Sequence, residues 1–308
     1  MQVTKSLRQF LLILCLSLFL NPAFAASTRP DNCESRPYDH GKLWEVSKQG
    51  QPKSFIFGTM HSKDPRILHL PGIVMQAFNG SAAFILETTL SERSIQESRS
   101  LMLAPHGQSL KTSTGAARFA ELSEIASKYG IPAAVLDRFK IWAAASILSQ
   151  PPQPRHKQST QLTLLDRELE KTARARGKPV FALEKVVEQL GLFDNLPRKV
   201  QLELLDQAIK EFPNLDYELE KLTAHYIAGR TGWIFCEMEE SLKSLSPELN
   251  DFMTYQLIIQ RNHTMAARML PELAKNSTFV AIGALHLPGT EGVLALLEQN
   301  GYKIRKRF

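Results

Sequence analysis

Two short segments share one design: a run of β-forming residues, then glycine, two further residues and histidine. They are FIFGTMH, with Gly58 and His61, and FVAIGALH, with Gly283 and His286. Two more apolar runs, in AAFILET and KPVFALE, end on the carboxylates Glu87 and Glu184. In a parallel sheet, ligands gather outside the carboxyl ends of the strands. Four such strands deliver two imidazoles and two carboxylates to one rim, and each glycine lets the backbone turn tightly or approach a bound group. Neutral imidazole and carboxylate form the usual ligand set of a catalytic ion with an open position. Such an ion lowers the pKa of bound water to about 7 and makes it a nucleophile. Without a metal, the same residues read as histidines that cap strands through hydrogen bonds and glutamates that form salt bridges.

The elements that must position these residues follow from hydropathy patterning. KLWEVSK alternates apolar and polar residues, as a strand with one wet face does. The turn at Gly50 to Pro52 leads into SFIF, whose continuous apolar run suits a strand covered on both faces, so the two strands form a hairpin. PGIVMQAFNGS predicts a short helix that starts at Pro71 and stops near Gly80. With the strand at Ala82 to Thr88 after it, the order strand, helix, strand predicts a crossover and parallel pairing. From about residue 91 to 275, apolar residues recur at helical spacing, interrupted by a strand near 179–184. QLTLLDRELEKTARARG is an amphipathic helix with Leu162, Leu165, Leu169 and Ala173 on one face, stopped by Gly177. TEGVLALLEQNG predicts a closing helix capped by Thr290, and YKIRKRF a last strand. The expected fold class is α/β: a central, mostly parallel but mixed sheet with flanking helices and a large helical insertion in the middle of the chain.

The 308 residues are 44% apolar, which is a globular composition able to bury a substantial core. Lys5 and Arg8 precede the apolar run FLLILCLSLFL, and NPAFA ends with Ala23 and Ala25 where a signal peptidase prefers small residues. Residues 1–25 are expected to be a cleaved secretory signal, and 26–308 a single domain. The apolar run is short for a membrane span, Cys15 has no lipoprotein-type small residues around it, and no later segment reaches span length. Export across the inner membrane to a bacterial periplasm follows, with no stable membrane insertion after cleavage. Losing Lys5 and Arg8 lowers the net charge from +6 to +4. That charge is spread along the chain, and the basic GYKIRKRF reads as a solvated strand and not as a nucleic-acid contact. Cys33 and Cys236 survive processing. An oxidising compartment favours a disulfide between them, with two isolated buried thiols as the alternative.

The sequence contains no H-E-x-x-H, no G-x-S-x-G, no P-loop and no dinucleotide fingerprint, which removes the zincin, ordinary serine hydrolase and nucleotide-binding templates. His69, His106 and His156 fall in polar loops, and His225 and His263 in helical segments. Trp44, Trp142 and Trp233 sit in apolar or helical contexts that suit the core. Met265 and Met269, four residues apart, read as a packing stripe.

The segments FIFGTMHSKD, AAFILET, LLDRELEKTARARGKPVFALEKVVEQLGLFDNL, IIQRNHTMAARM and FVAIGALHLPGTEGVLALLEQNGYKI occur in the order found in one known family. From LWEVS to the C-terminus the chain resembles the TraB/GumN family, to which the Tiki-type metalloproteases are related. The resemblance implies a hydrolase that uses a divalent cation (manganese, cobalt or zinc) held by His61, His286 and Glu87. It gives Glu184 a supporting role and places Arg261 and Asn262 on a helix facing the rim. One departure is the usual glycine near LTLLDREL, where this chain has Leu164 and Leu165, which bears on the local geometry around Asp166. In the implied mechanism Glu87 completes the ligand set or acts as general base. Arg261 stabilises an oxyanion or anchors a substrate carboxylate, and Asn262 adds a hydrogen bond. The expected partner is a peptide or other small exported substrate. Two non-catalytic readings stand beside this: the rim also resembles that of haem-binding lipoproteins of the ChaN type, and some TraB-like proteins suggest sequestration of an exported peptide.

Overall fold

The computed structural model describes residues 33–152 and 164–308. The expected signal at 1–25, His156 and Leu162 lie outside the described residues. Strands β1 (Leu43–Ser47) and β2 (Ser54–Thr59) form the expected antiparallel hairpin, with Trp44 opposite Ile56. With β3 (Ala83–Leu86), β4 (Val180–Ala182), β5 (Thr278–Gly283) and β6 (Lys303–Lys306) they build one sheet in the order β4-β3-β5-β2-β1-β6. Strands β4, β3, β5 and β2 run parallel, while β1 is antiparallel to both β2 and β6. The sheet is therefore mixed, as the patterning requires. The crossover from β2 to β3 passes through the helix Gly72–Gly80. It sets the two strands parallel but one place apart, and β5 fills the place between them.

Strand residues alternate between two cores because successive side chains leave opposite faces of a sheet. Ile56, Ile85, Val280 and Ile282 pack on Met265, Met269 and Leu273 of the helix Gln260–Lys275 and on Leu294 and Leu297 of the helix Val293–Gln299. The two methionines are thus the packing stripe their spacing predicts. Phe57, Phe84 and Phe279 point to the other face, where Phe78 of the crossover helix meets the last two edge-on. The helical middle of the chain stands on this second face and adds Trp142, Phe193 and Leu204 to the same core. All three tryptophans are buried, whereas His69 and His106 are exposed.

Cys33 and Cys236 form a disulfide, 203 residues apart in sequence. One cap differs from expectation. Gly292, not Thr290, precedes the closing helix. Gly289 has φ +93, and a Cβ on Gly292 would lie 2.3 Å from the Leu287 carbonyl, so the chain turns through Thr290 and only glycine fits the helix start. Among the described residues, no helix is long and apolar enough to cross a membrane.

Candidate metal centre

The four parallel strands end within two residues of one another: Thr59 pairs with Gly283, and Leu86 with both Ala281 and Ala182. His61, Glu87 and Glu184 lie just beyond β2, β3 and β4, and a 3-10 turn, Ala284–His286, carries the second histidine beyond β5. All four therefore reach one rim. Gly58 has a specific use here. A Cβ on it would sit 2.6 Å from Leu287 Cδ1 and 3.1 Å from Ala284 Cα. The glycine makes room for the turn that carries His286, not for a bound group.

His286 is fully buried. Asn262 Nδ2 donates to the Glu291 carbonyl at 2.8 Å, which turns its Oδ1 toward His286 Nδ1 at 2.6 Å. An amide oxygen only accepts, so Nδ1 carries the proton and Nε2 is left with its lone pair. That Nε2 is buried and has no hydrogen-bond partner among the described residues; Glu87 Oε1 stands 3.9 Å away. Burial first, then the charge of Arg261, push this imidazole down to about 3, so it is neutral.

His61 is oriented by a carboxylate that patterning did not single out. Asp166, in the first turn of the helix Leu165–Ala175, accepts from His61 Nδ1 at 2.7 Å and from Thr59 Oγ1 at 2.7 Å. Burial alone would lower the His61 pKa; the Asp166 charge and hydrogen bond outweigh it, and with Glu87 they raise it to about 9. The same contact, against the effect of burial, holds Asp166 below its ordinary range. A signal for Asp166 was present: an acid on the apolar face that Leu165, Leu169 and Ala173 define.

Glu87, 5% exposed, accepts from Gly283 N–H at 2.5 Å and from Arg261 Nη2 at 2.8 Å. Burial raises its carboxyl, but Arg261, both histidines and the Gly283 N–H hold it at about 2. Arg261 also donates to Glu184, from Nε at 3.0 and 3.1 Å and from Nη2 at 2.7 Å. Gln189, another buried residue missed in the sequence, donates to Glu184 at 2.9 Å. Arg261 and Asn262 do face the rim, as the QRN segment implies, but their partners differ from expectation. Arg261 is clamped between two glutamates and so holds the rim together, instead of waiting for an oxyanion or a substrate carboxylate. Asn262 orients His286.

Among the described residues, no three His, Cys, Asp or Glu side chains are grouped closely enough to hold a metal ion as they stand. The donor set nevertheless fits one. Each histidine has its Nδ1 fixed by an oxygen acceptor, the arrangement that orients ligating imidazoles. His286 Nε2 is an orphaned buried lone pair, and an ionised carboxylate stands beside it.

The model of the TraB/PrgY/gumN family matches residues 42–306, and the chain belongs to that family. Relatives include Metalloprotease TIKI2 of Danio rerio, 25% identical over 312 aligned positions covering 85% of this chain and 60% of the relative. Metalloprotease TIKI1 of Homo sapiens is 24% identical, with 94% of this chain and 67% of the relative covered. The Metalloprotease TIKI homolog of Amphimedon queenslandica is 21% identical, with 96% and 67% covered. The chain thus spans about 60% of the length of the zebrafish relative. No solved structure matches it significantly.

Proposed function

We propose that this chain is an exported, divalent-metal-dependent hydrolase of the peptidase type, working in a bacterial periplasm. The observation that carries the reading is His286 Nε2, buried, stripped of its proton by the Asn262 contact and without a partner. Leaving a buried polar atom unpaired costs about 1–3 kcal/mol, and a cation ligated there removes that cost. The names of the relatives, all metalloproteases, support the same reading.

His61, His286 and Glu87 would hold the ion, and Asp166 and Asn262 would fix the two rings. When bound, a divalent ion supplies Lewis-acid chemistry, polarising a carbonyl and acidifying water. Glu87 is ionised, with Oε1 3.9 Å from His286 Nε2; held at about 2 it is a weak base, which favours the ligand role over the general-base one. Arg261 helps to keep the buried Glu87 charged and donates to Glu184. Glu184 acts through Arg261 as a positioning residue.

Metal content by mass spectrometry tests this, on the wild type beside His61→Ala/His286→Ala, after exposure to manganese, cobalt and zinc. About one ion per wild-type chain, lost in the double variant, is expected, as is an Asn262→Ala affinity lower by about 10–100-fold. A wild type that takes up no metal sinks the reading and turns attention to haem and peptide binding. Metal uptake without metal-dependent cleavage across a peptide library leaves a binding protein, not a hydrolase.

A further inference from the structure

Arg167 follows Asp166 directly in the chain, so the residue that orients His61 also fixes the start of the Arg167 side chain. Its Nη1 donates to Glu170, one turn along the same helix. Its Nε and Nη2 are buried and have no hydrogen-bond partner among the described residues. Those two N–H groups form one edge of the guanidinium, the edge that meets both oxygens of a carboxylate in parallel. An arginine cannot shed its charge to escape burial. Buried guanidinium N–H groups therefore call for an acceptor.

The acids nearby are already committed. Glu170 is shared, since Arg174 donates to its other oxygen from Nε at 3.0 Å and from Nη2 at 2.8 Å. Asp166 has one oxygen on His61 and the other on Thr59. Glu170 is thus shared between two arginines. Arg261, which the sequence nominated for anchoring a substrate, has its own carboxylates.

We propose that the Nε–Nη2 edge of Arg167 is a carboxylate-binding subsite next to His61, which anchors an acidic group of the substrate, either a free C-terminus or an Asp or Glu side chain. The subsite rests on the hydrolase reading for the word substrate, but not for the binding itself.

The test is binding without turnover, in chelator, read by ligand-observed NMR. The probes are N-acetyl-Ala-Ala with a free carboxylate, its C-terminal amide, and N-acetyl-Ala-Asp amide. The wild type should bind at least one acidic probe about tenfold more tightly than the neutral amide, and that preference should fall to about twofold or less in Arg167→Gln. Which acidic probe wins separates a C-terminus from a side chain. Arg167→Lys keeps the charge that Glu170 meets but lacks the fork, and should also lose most of the preference; it serves where Arg167→Gln does not fold. Equal binding of acid and amide by the wild type overturns the proposal, as does a preference that survives both substitutions. Metal uptake is measured on chelator-free aliquots of the same protein preparations. A wild type that takes up no metal but prefers the acids ends the hydrolase reading and keeps the subsite; the opposite pattern does the reverse.

Discussion

Arg261→Met keeps much of the side chain's length and removes its charge. Glu87 and Glu184 then lie side by side with no cation between them, at 5% and 7% exposure, in a site where Arg261 itself is 3% exposed. The wild-type guanidinium donates there to both acids, from Nε and Nη2 to Glu184 and from Nη2 to Glu87. Removing one partner of a buried ion pair costs about 3–5 kcal/mol, and one cation here serves two acids, so the upper half of that range is expected near neutral pH. The loss carries a pH signature. Glu87 is held at about 2, below its ordinary 4.5, so its contribution is present above 4.5 and lost as the pH falls through about 2. Without Arg261, burial dominates and drives Glu87 upward. A carboxyl raised by folding weakens the fold as the pH rises past its unfolded value. The difference between variant and wild type should therefore be widest at about pH 8 and shrink toward about pH 5. Urea unfolding of both proteins in chelator, followed by tryptophan fluorescence at the two pH values, measures it. A loss under about 1 kcal/mol, or one of equal size at both pH values, would refute the view that Arg261 is the cation holding the rim together.

Two further outcomes are expected. Glu218 is buried with neither carboxylate oxygen hydrogen-bonded, and burial raises it to about 7, so its stabilising protonated form is complete below 4.5 and lost as the pH rises through about 7. Glu218→Gln should leave stability near pH 5 almost unchanged and add about 1–3 kcal/mol near pH 8, the full shift being discounted for solvent screening; parallel stability–pH profiles for the two proteins would count against it. Cys33→Ser/Cys236→Ser removes a link spanning 203 residues and should lose about 2–5 kcal/mol. Thermal melts with and without reductant check this, since reduced wild type should match the variant and an unchanged melt would contradict it.

Much of this site was legible because the two histidines and two glutamates each sit just past the end of a short strand with its own local signature. Gly58 and His61, Gly283 and His286, and the two strand-end glutamates could each be read in a window of a few residues. What escaped depends on contacts between distant segments. Asp166 meets His61 across 105 residues and Arg261 meets Glu87 across 174. No local pattern tells an arginine destined for two glutamates from one destined for a substrate. Sheet order escaped for the same reason: strand, helix, strand predicts parallel β2 and β3, but not that β5 enters between them. The cap at Thr290 failed because a good capping residue was overridden by a turn that only Gly289 and Gly292 could make.

The place of β5 also sets the order in which the molecule can be built. β2 and β3 are synthesised roughly 200 residues before the strand that joins them. Until Thr278–Gly283 has emerged, the hairpin and the β3–β4 pair have no backbone hydrogen bonds between them, and each offers an open apolar edge. Pairing at that separation is slow, because loop closure must precede any gain from contact. A chain stopped short of β5 lacks His286 and the sheet's central strand together. The fold thus leaves its rim incomplete until the chain is nearly finished, and partly made chains are exposed to aggregation and proteolysis.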